Sequence, residues 1–197
     1  GPAEHGKFHL LVAGFDDLGL HPGDHLVTLL QNRWEAATIH WACQFTGVIV
    51  TPLNWRSSAS ELDFCLDDSE AKAIVYEEVS AEAVRSSSRA GTCSRIAVGD
   101  PHSHPMTFDA LIGQSAGAGP PRVGPDAWSV MLYTSGTTAR PKGVPRRQRA
   151  DSVDVTPSAY PRQYSQLTYA PGSGSKAGSC GPMRPSTPPV RKPRSFR

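Results

Sequence analysis

The chain has 197 residues, 38% of them hydrophobic, and a formal net charge of +2, which allows one sizeable domain or part of a larger one. Residues 1–150 hold 13 Lys/Arg against 16 Asp/Glu, whereas residues 151–197 hold 7 against 2. The positive excess therefore belongs to the tail, and the body has no basic composition that would indicate nucleic-acid binding. No apolar run approaches the roughly 20 residues that span a bilayer, and residues 1–8 are too polar for a signal peptide, so we expect a cytoplasmic protein without a membrane span.

In chain order the apolar spacing predicts a helix over 8–18, a strand over 25–30, a helix over 33–46, a strand over 48–53, a helix over 61–68, a strand over 73–76, a helix over 79–85, a strand over 95–98, a helix over 108–114 and a strand over 128–133. The strands are short, continuously apolar and separated by helices. This pattern favours an α/β fold with a partial doubly wound, mostly parallel sheet of roughly five strands and helices on both faces.

Cap signals support two of these helices. Asn32 with Glu35, and Ser58 with Glu61, have the spacing of capping boxes, although Asn replaces the usual Ser/Thr in the first. Gly47 is suited to end the helix over 33–46. That helix is apolar on most sides, so we expect burial on more than one face, with Trp34 and Trp41 in the core.

Several polar residues are predicted to have no chemical role. The adjacent acids, Asp16-Asp17, Asp67-Asp68 and Glu77-Glu78, are expected to be ordinary surface charge, because neighbours in sequence on a helix do not face each other. His102 and His104 lie in a Pro-flanked loop without further ligands at metal spacing, so no metal site is predicted. The four cysteines form no C-x-x-C pair and are expected to be free thiols.

The sequence changes in kind near residue 150. Residues 151–197 contain eight Pro and eight Ser but few apolar residues, and no period persists. Such a segment cannot offset its ordering entropy, so we predict a folded part over 1–149 and a disordered tail over 150–197. A reading-frame shift near Arg149, a natural alternative terminus and a gene-model error would each explain the change.

The segment with the clearest chemistry follows the last predicted strand and reads Thr134-Ser-Gly-Thr-Thr-Ala-Arg-Pro-Lys-Gly143. It has four hydroxyls within five residues. Its two glycines permit unusual backbone angles, which allows successive N–H groups to form an anion-binding nest. Lys142 adds a mobile positive charge that suits phosphate. It is no Walker A loop, because that motif needs Gly-Lys-Ser/Thr entering a helix, whereas here Pro141 precedes Lys142 and pushes Arg140 away from helical angles. The interpretation is a polyphosphate-binding loop between strands, although a plain polar turn has the same residue types.

This segment resembles the signature loop of the AMP-forming acid–CoA ligase superfamily, whose pattern is approximately T/S-S-G-T-T-G-x-P-K-G. Ala139 departs from it, where the family usually has Gly. Upstream, residues 19–24 (GLHPGD) and 47–56 (GVIVTPLNWR) resemble two further family segments, as do Glu61-Leu62 and Asp68-Ser69. The resemblance covers roughly residues 8–149.

The resemblance implies that ATP and a carboxylic acid form an acyl-adenylate and pyrophosphate, and that coenzyme A then displaces AMP. Mg²⁺ would share the phosphate charge, and the following residues would bind the β- and γ-phosphates: Thr134, Ser135, Gly136, Thr137, Thr138, Arg140, Lys142 and Gly143. No catalytic residue is assigned, because the family's adenine, acid, metal and hinge motifs are not found after residue 150. We therefore expect an N-terminal part of a ligase that is inactive alone. The alternatives are a non-catalytic ATP-binding or interaction fragment, and an unstable frameshift product without function.

Overall fold

The computed structural model describes residues 2–99, 106–113, 123–134 and 141–149, with side chains from residue 10 onward. The tail over 150–197, for which the sequence predicts disorder, lies outside the described residues. Five helices and six strands are described, with two short 3₁₀ turns at Glu78–Ser80 and Ala90–Thr92. The helices are α1 (Pro2–Asp17), α2 (Trp34–Thr46), α3 (Ala59–Ser69), α4 (Ala81–Ser86) and α5 (Phe108–Gly113). The strands are β1 (His25–Leu29), β2 (Ile49–Pro52), β3 (Ala73–Glu77), β4 (Ser94–Val98), β5 (Trp128–Thr134) and β6 (Lys142–Arg147).

The six strands form one sheet in the order β4-β3-β1-β2-β5-β6. All neighbours are parallel except β5 and β6, which pair antiparallel. The mostly parallel, helix-covered sheet confirms the predicted fold class. The sequence predicted roughly five strands and missed β6, because Lys142–Arg147 contains two Arg, a Lys, a Gly and a Pro and has no apolar alternation.

Two apolar cores cover the two faces of the sheet, because successive strand residues point to opposite sides. On one face α1, α2 and α5 pack on alternate strand residues such as Leu26 and Val75. On the other face α3 and α4 pack on the intervening residues, such as Val27 and Ile74. Burial on both faces explains the continuously apolar strands, since β1 and β3 are buried at every position.

The local cap signals are confirmed in two cases of three. Ser58 and Glu61 form a reciprocal capping box at the start of α3. Gly47 ends α2 with φ of 80° and donates its N–H to the Cys43 carbonyl. The Asn32 prediction is wrong: α2 begins after Arg33, which makes no side-chain cap, and the Glu35 carboxylate binds the Arg33 guanidinium instead.

The predicted burial of both tryptophans in α2 is also wrong. Trp34 is 43% exposed and Trp41 63% exposed. The buried side of α2 is formed by smaller residues, among them Ala42 and Cys43. The two tryptophans are seven residues apart and so share one side of the helix, and that side is exposed to solvent. Trp34 still contacts Phe108 edge-on, with ring centroids 5.8 Å apart.

Candidate functional site

The two ends of the predicted phosphate loop lie opposite each other on the two strands of a β-hairpin. Thr134 is the last residue of β5, Lys142 is the first residue of β6, and the two are paired in the ladder. The Thr134 hydroxyl donates a long hydrogen bond of 3.5 Å to the Lys142 carbonyl. Five predicted site residues of the loop lie outside the described residues: Ser135, Gly136, Thr137, Thr138 and Arg140.

The hairpin opens at the carboxyl edge of the parallel sheet. Strand β5 runs parallel to β2, so Thr134 lies at the edge where β1, β2 and β3 also end. Open α/β sheets bind ligands in the crevice outside this edge. The position of the two described ends of the loop therefore agrees with a binding role.

Lys142 and Thr134 are both exposed at this edge. Among residues 10–99, 106–113, 123–134 and 141–149, no carboxylate lies within ion-pair distance of the Lys142 ammonium. An ammonium on a flexible stem can reach an anion as a point charge. The two described polar ends of the loop thus fit a phosphate group.

Gly143 has a different reason for being glycine than the sequence suggested. It is not among the glycines with positive φ in the described chain, so the expected backbone freedom is not used there. Gly143 is instead buried in β6, and a Cβ at this position would lie 2.9 Å from Met131 Sδ and 3.4 Å from the Tyr133 ring. Glycine lets the two strands and their side chains approach closely at the base of the loop.

Tyr133 ties the base of the loop to helix α3. Its hydroxyl donates to Asp68 Oδ2 at 2.7 Å, and its ring meets Phe64 edge-on at 6.3 Å between centroids. Burial, together with the hydrogen bond to Asp68, raises the pKa of Tyr133 well above its usual range. Asp68 is only 5% exposed, so its assignment as surface charge is wrong. Its spacing of three from the inward Cys65 was a helical signal for burial.

A second buried acid lies at the carboxyl edge of the sheet. Glu77, the last residue of β3, is 5% exposed and accepts hydrogen bonds from the Gln31 N–H and from Arg33 Nη1, the latter at 3.3 Å. Arg33 also makes two hydrogen bonds to the Glu35 carboxylate, at 3.0 and 3.1 Å. These bonds, with burial acting against them, raise the pKa of Arg33. The assignment of Glu77 to the surface is therefore also wrong, and the cluster joins the carboxyl ends of β1 and β3.

The basic residues after the loop lie at the opposite end of the hairpin. Arg147 pairs with Trp128 at the start of β5, its guanidinium 4.5 Å from the indole centroid. Arg149 forms an ion pair with Asp126 at 2.9 Å. Because β6 runs antiparallel to β5, these groups are about 16 Å along the strand from Lys142. From the sequence alone, the basic residues over 145–149 could help to attract ATP or could only be a solvated strand end. Their distance from Lys142 favours the strand end.

The remaining candidate features are metal-ligand groups, free thiols and membrane-spanning helices in the part of the chain that the structure describes. It contains no group of three or more His, Cys, Asp or Glu that could hold a metal ion. Cys43, Cys65 and Cys93 are free thiols, and burial raises the pKa of Cys65 to about 12. Cys180, His102 and His104 lie outside the described residues. No helix in the described ranges has the length and apolar character needed to cross a membrane.

Comparison with known proteins gives a consistent family match. A sequence model of the family described as "AMP-binding enzyme" matches residues 9–169. Feruloyl-CoA synthase from Amycolatopsis sp is 34% identical over 135 residues, covering 68% of this chain and 25% of the relative. A long-chain-fatty-acid–CoA ligase, FadD13 from Mycobacterium tuberculosis, is 34% identical over 140 residues, covering 64% of this chain and 25% of the relative.

The fold is shared with solved ligases. The benzoate CoA ligase from Burkholderia xenovorans superposes with a TM-score of 0.65 at 18% identity, covering 74% of this chain and 28% of that one. At this identity the likeness shows the fold. The chain spans about a quarter of the length of the curated relatives that it matches.

Proposed function

Because this chain belongs to the AMP-binding enzyme family, we propose that it carries the ATP-phosphate-binding loop of an AMP-forming acid–CoA ligase. The observation that carries the proposal is the β5–β6 hairpin, whose open end lies at the carboxyl edge of the parallel sheet with Thr134 and Lys142 exposed. In a sheet of this kind that edge is where ligands bind.

In the proposed reaction, a carboxylate attacks the α-phosphorus of ATP to form an acyl-adenylate and pyrophosphate. The thiol of coenzyme A then attacks the acyl carbon, and AMP leaves. The loop residues bind the β- and γ-phosphates, through hydroxyls, backbone N–H groups and the Lys142 ammonium. Holding pyrophosphate in this way orients the α-phosphorus and stabilises the charge that develops on the leaving oxygen.

We assign no protein ligand to Mg²⁺, because the described residues contain no acidic or histidine cluster that fits a metal. Mg²⁺ keeps several waters and binds through substrate phosphates in many nucleotide sites. In this proposal Mg²⁺ would accompany ATP and share the phosphate charge, and the loop residues would hold phosphate oxygens.

The proposal separates binding from turnover. Since the relatives are about four times as long as this chain, we propose ATP binding for the 197-residue chain and the complete ligase reaction for proteins that contain the whole fold. For this chain, the assignment is therefore the non-catalytic ATP-binding alternative of the sequence analysis. Pyrophosphate exchange with a panel of acids tests it: acid-dependent exchange by this chain would overturn our assignment of binding without turnover.

Titration of the full 197-residue chain with Mg-ATP tests the binding step. We expect a cooperative thermal melt whose midpoint rises with ATP concentration. Lys142→Ala should weaken ATP binding about tenfold, the equivalent of one charge-assisted hydrogen bond of roughly 1.4 kcal/mol. Lys72→Ala is the matched control, because Lys72 is exposed but lies just before β3, at the amino edge of the sheet.

Two results would refute the proposal. One is a melting midpoint that does not move with Mg-ATP. The other is an equal loss of affinity in Lys142→Ala and Lys72→Ala, since that would mean attraction by net charge and not a site at the hairpin.

A further inference from the structure

We propose that Tyr133 and Asp68 are a positioning pair that fixes the base of the phosphate loop. The hydrogen bond from the Tyr133 hydroxyl to Asp68 of helix α3 would then set the affinity of the loop for triphosphates. This inference rests on the proposed function of loop 134–143. Neither residue is assigned a contact with substrate; each acts through the backbone of the hairpin.

One aromatic ring contacts both ends of the loop. The chain enters the loop directly after Tyr133 and returns at Gly143, and these two residues are paired in the β5–β6 ladder. The ring atoms Cε1 and Cζ of Tyr133 lie 3.4 Å from the position that a Cβ of Gly143 would occupy. A tilt of the ring toward Gly143 would therefore bring it against the returning strand.

The far end of the same ring is held by a rigid element. The Tyr133 hydroxyl donates to Asp68 of α3 at 2.7 Å, and Phe64 of α3 contacts the ring edge-on. Helix α3 is itself anchored in the apolar core by Leu62 and Leu66, which are 0% and 4% exposed. The hydrogen bond thus connects the hairpin to a helix that packs on the core of the sheet.

The hairpin needs such a support. Within the described residues β6 is an edge strand, paired only with β5, and edge strands open more readily than central ones. A phosphate cradle works when its donors are held within a fraction of an ångström, by neighbours whose own positions are fixed. A hydrogen bond to a carboxylate is about twice as strong as a neutral one and suits this purpose.

Asp68 is near the C-terminal end of α3, and its carboxylate reaches the hairpin only through the length of the tyrosine ring. Its negative charge is therefore kept away from the phosphates that the loop would bind. This separation distinguishes a positioning role from an electrostatic role, since an acid beside the triphosphate would weaken binding.

The test compares Tyr133→Phe with Tyr76→Phe in the full chain. Each variant removes one hydroxyl from a sheet tyrosine, but Tyr76 is in β3, three strands away from β5. We expect Tyr133→Phe to weaken Mg-ATP binding about threefold to tenfold and to leave AMP binding unchanged, because AMP lacks the phosphates that the loop holds. Tyr76→Phe should leave the ratio of ATP to AMP affinity unchanged. A loss of stability alone would not alter that ratio.

Substitution of Asp68 tests the partner. Asp68→Asn retains an oxygen that accepts the tyrosine hydroxyl, so it should keep most of the ATP affinity, whereas Asp68→Ala should match Tyr133→Phe. The double variant Tyr133→Phe/Asp68→Ala should be no weaker than either single variant, because both remove the same bond. Additive losses would overturn the pairing.

Hydrogen exchange without nucleotide keeps this inference separate from the proposed function. Tyr133→Phe should speed exchange of the amides in β5 and β6 at least threefold and leave β1 and β3 unchanged. If wild-type chain fails to bind Mg-ATP but shows this exchange pattern, the proposed function is wrong and the positioning pair stands. If exchange in β5 and β6 is unchanged, the positioning pair is wrong whether or not ATP binds.

Discussion

Replacement of Arg33 by Met should destabilise the fold by about 2–3 kcal/mol. The guanidinium makes two hydrogen bonds to Glu35 and one to Glu77, and both acidic side chains are only 6% exposed. Removal of one partner from a buried ion pair typically costs about 3–5 kcal/mol, because the remaining charge is left in a poor solvent. We take a lower value because the Arg33 side chain is 35% exposed, which lets water reach the carboxylates, and because the Gln31 N–H still binds Glu77.

Urea unfolding followed by tryptophan fluorescence measures this loss as a lower midpoint at an unchanged m-value. Arg85→Met is the matched control: Arg85 pairs with Glu82, but the two side chains are 68% and 72% exposed, so the change should stay within about 0.5 kcal/mol. The triple variant Arg33→Met/Glu35→Gln/Glu77→Gln should recover part of the loss, because neutral amides replace the carboxylates that have lost the guanidinium. The reasoning fails if Arg33→Met costs no more than Arg85→Met.

Two further predictions concern a buried histidine and a packed glycine. Burial lowers the pKa of His25 from 6.5 to about 4, so the unfolded chain binds a proton between these values that the folded chain does not. The contribution of neutral His25 to the free energy of unfolding is therefore complete above pH 6.5 and is lost as pH falls toward 4, by about 3 kcal/mol in total. His25→Asn should flatten the slope of unfolding free energy against pH between 4 and 6.5. An unchanged slope would contradict the assignment of a lowered pKa to His25. Gly143→Ala should cost about 1–2 kcal/mol by crowding Met131, whereas Gly113→Ala, where a Cβ meets nothing within 4 Å, should be neutral; equal midpoints in thermal melts of these two variants would refute the packing argument.

Local signals in the sequence were sufficient for most elements of the fold. The Ser58–Glu61 capping box and the Gly47 helix end depend on residues within four positions of each other, and both are present. The short apolar strands also correctly indicated a parallel sheet, because strands buried on both faces have no polar alternation. Strand β6 was missed since it is an edge strand, whose exposed side carries charge.

The partners of the buried acids could not be recognised from local spacing. Glu77 binds Arg33 across 44 positions, and Asp68 binds Tyr133 across 65 positions. These acids were interpreted as surface charge because neighbours in sequence on a helix do not face each other, an argument that does not exclude burial beside a distant partner. The partners of the two buried acids are distant in sequence. The pairing of β3 with β1 brings Arg33 to Glu77, and the packing of α3 on the sheet brings Asp68 to Tyr133.

Local sequence also does not separate the two physical roles that the segment over 133–143 combines, which are ligand binding and packing of the hairpin. Lys142 is exposed with no acid near its ammonium in the described chain, so its replacement should change phosphate affinity with little effect on stability. Tyr133 and Gly143 lie side by side in the hairpin and pack against Asp68 of α3 and Met131 of β5, respectively. Their replacement should therefore change both phosphate affinity and stability. A plot of ATP affinity against unfolding free energy for variants across 133–143 should therefore separate into two groups. If all variants fell on one line, the loop would respond only to the stability of the hairpin, and no residue in it would have a ligand-specific role.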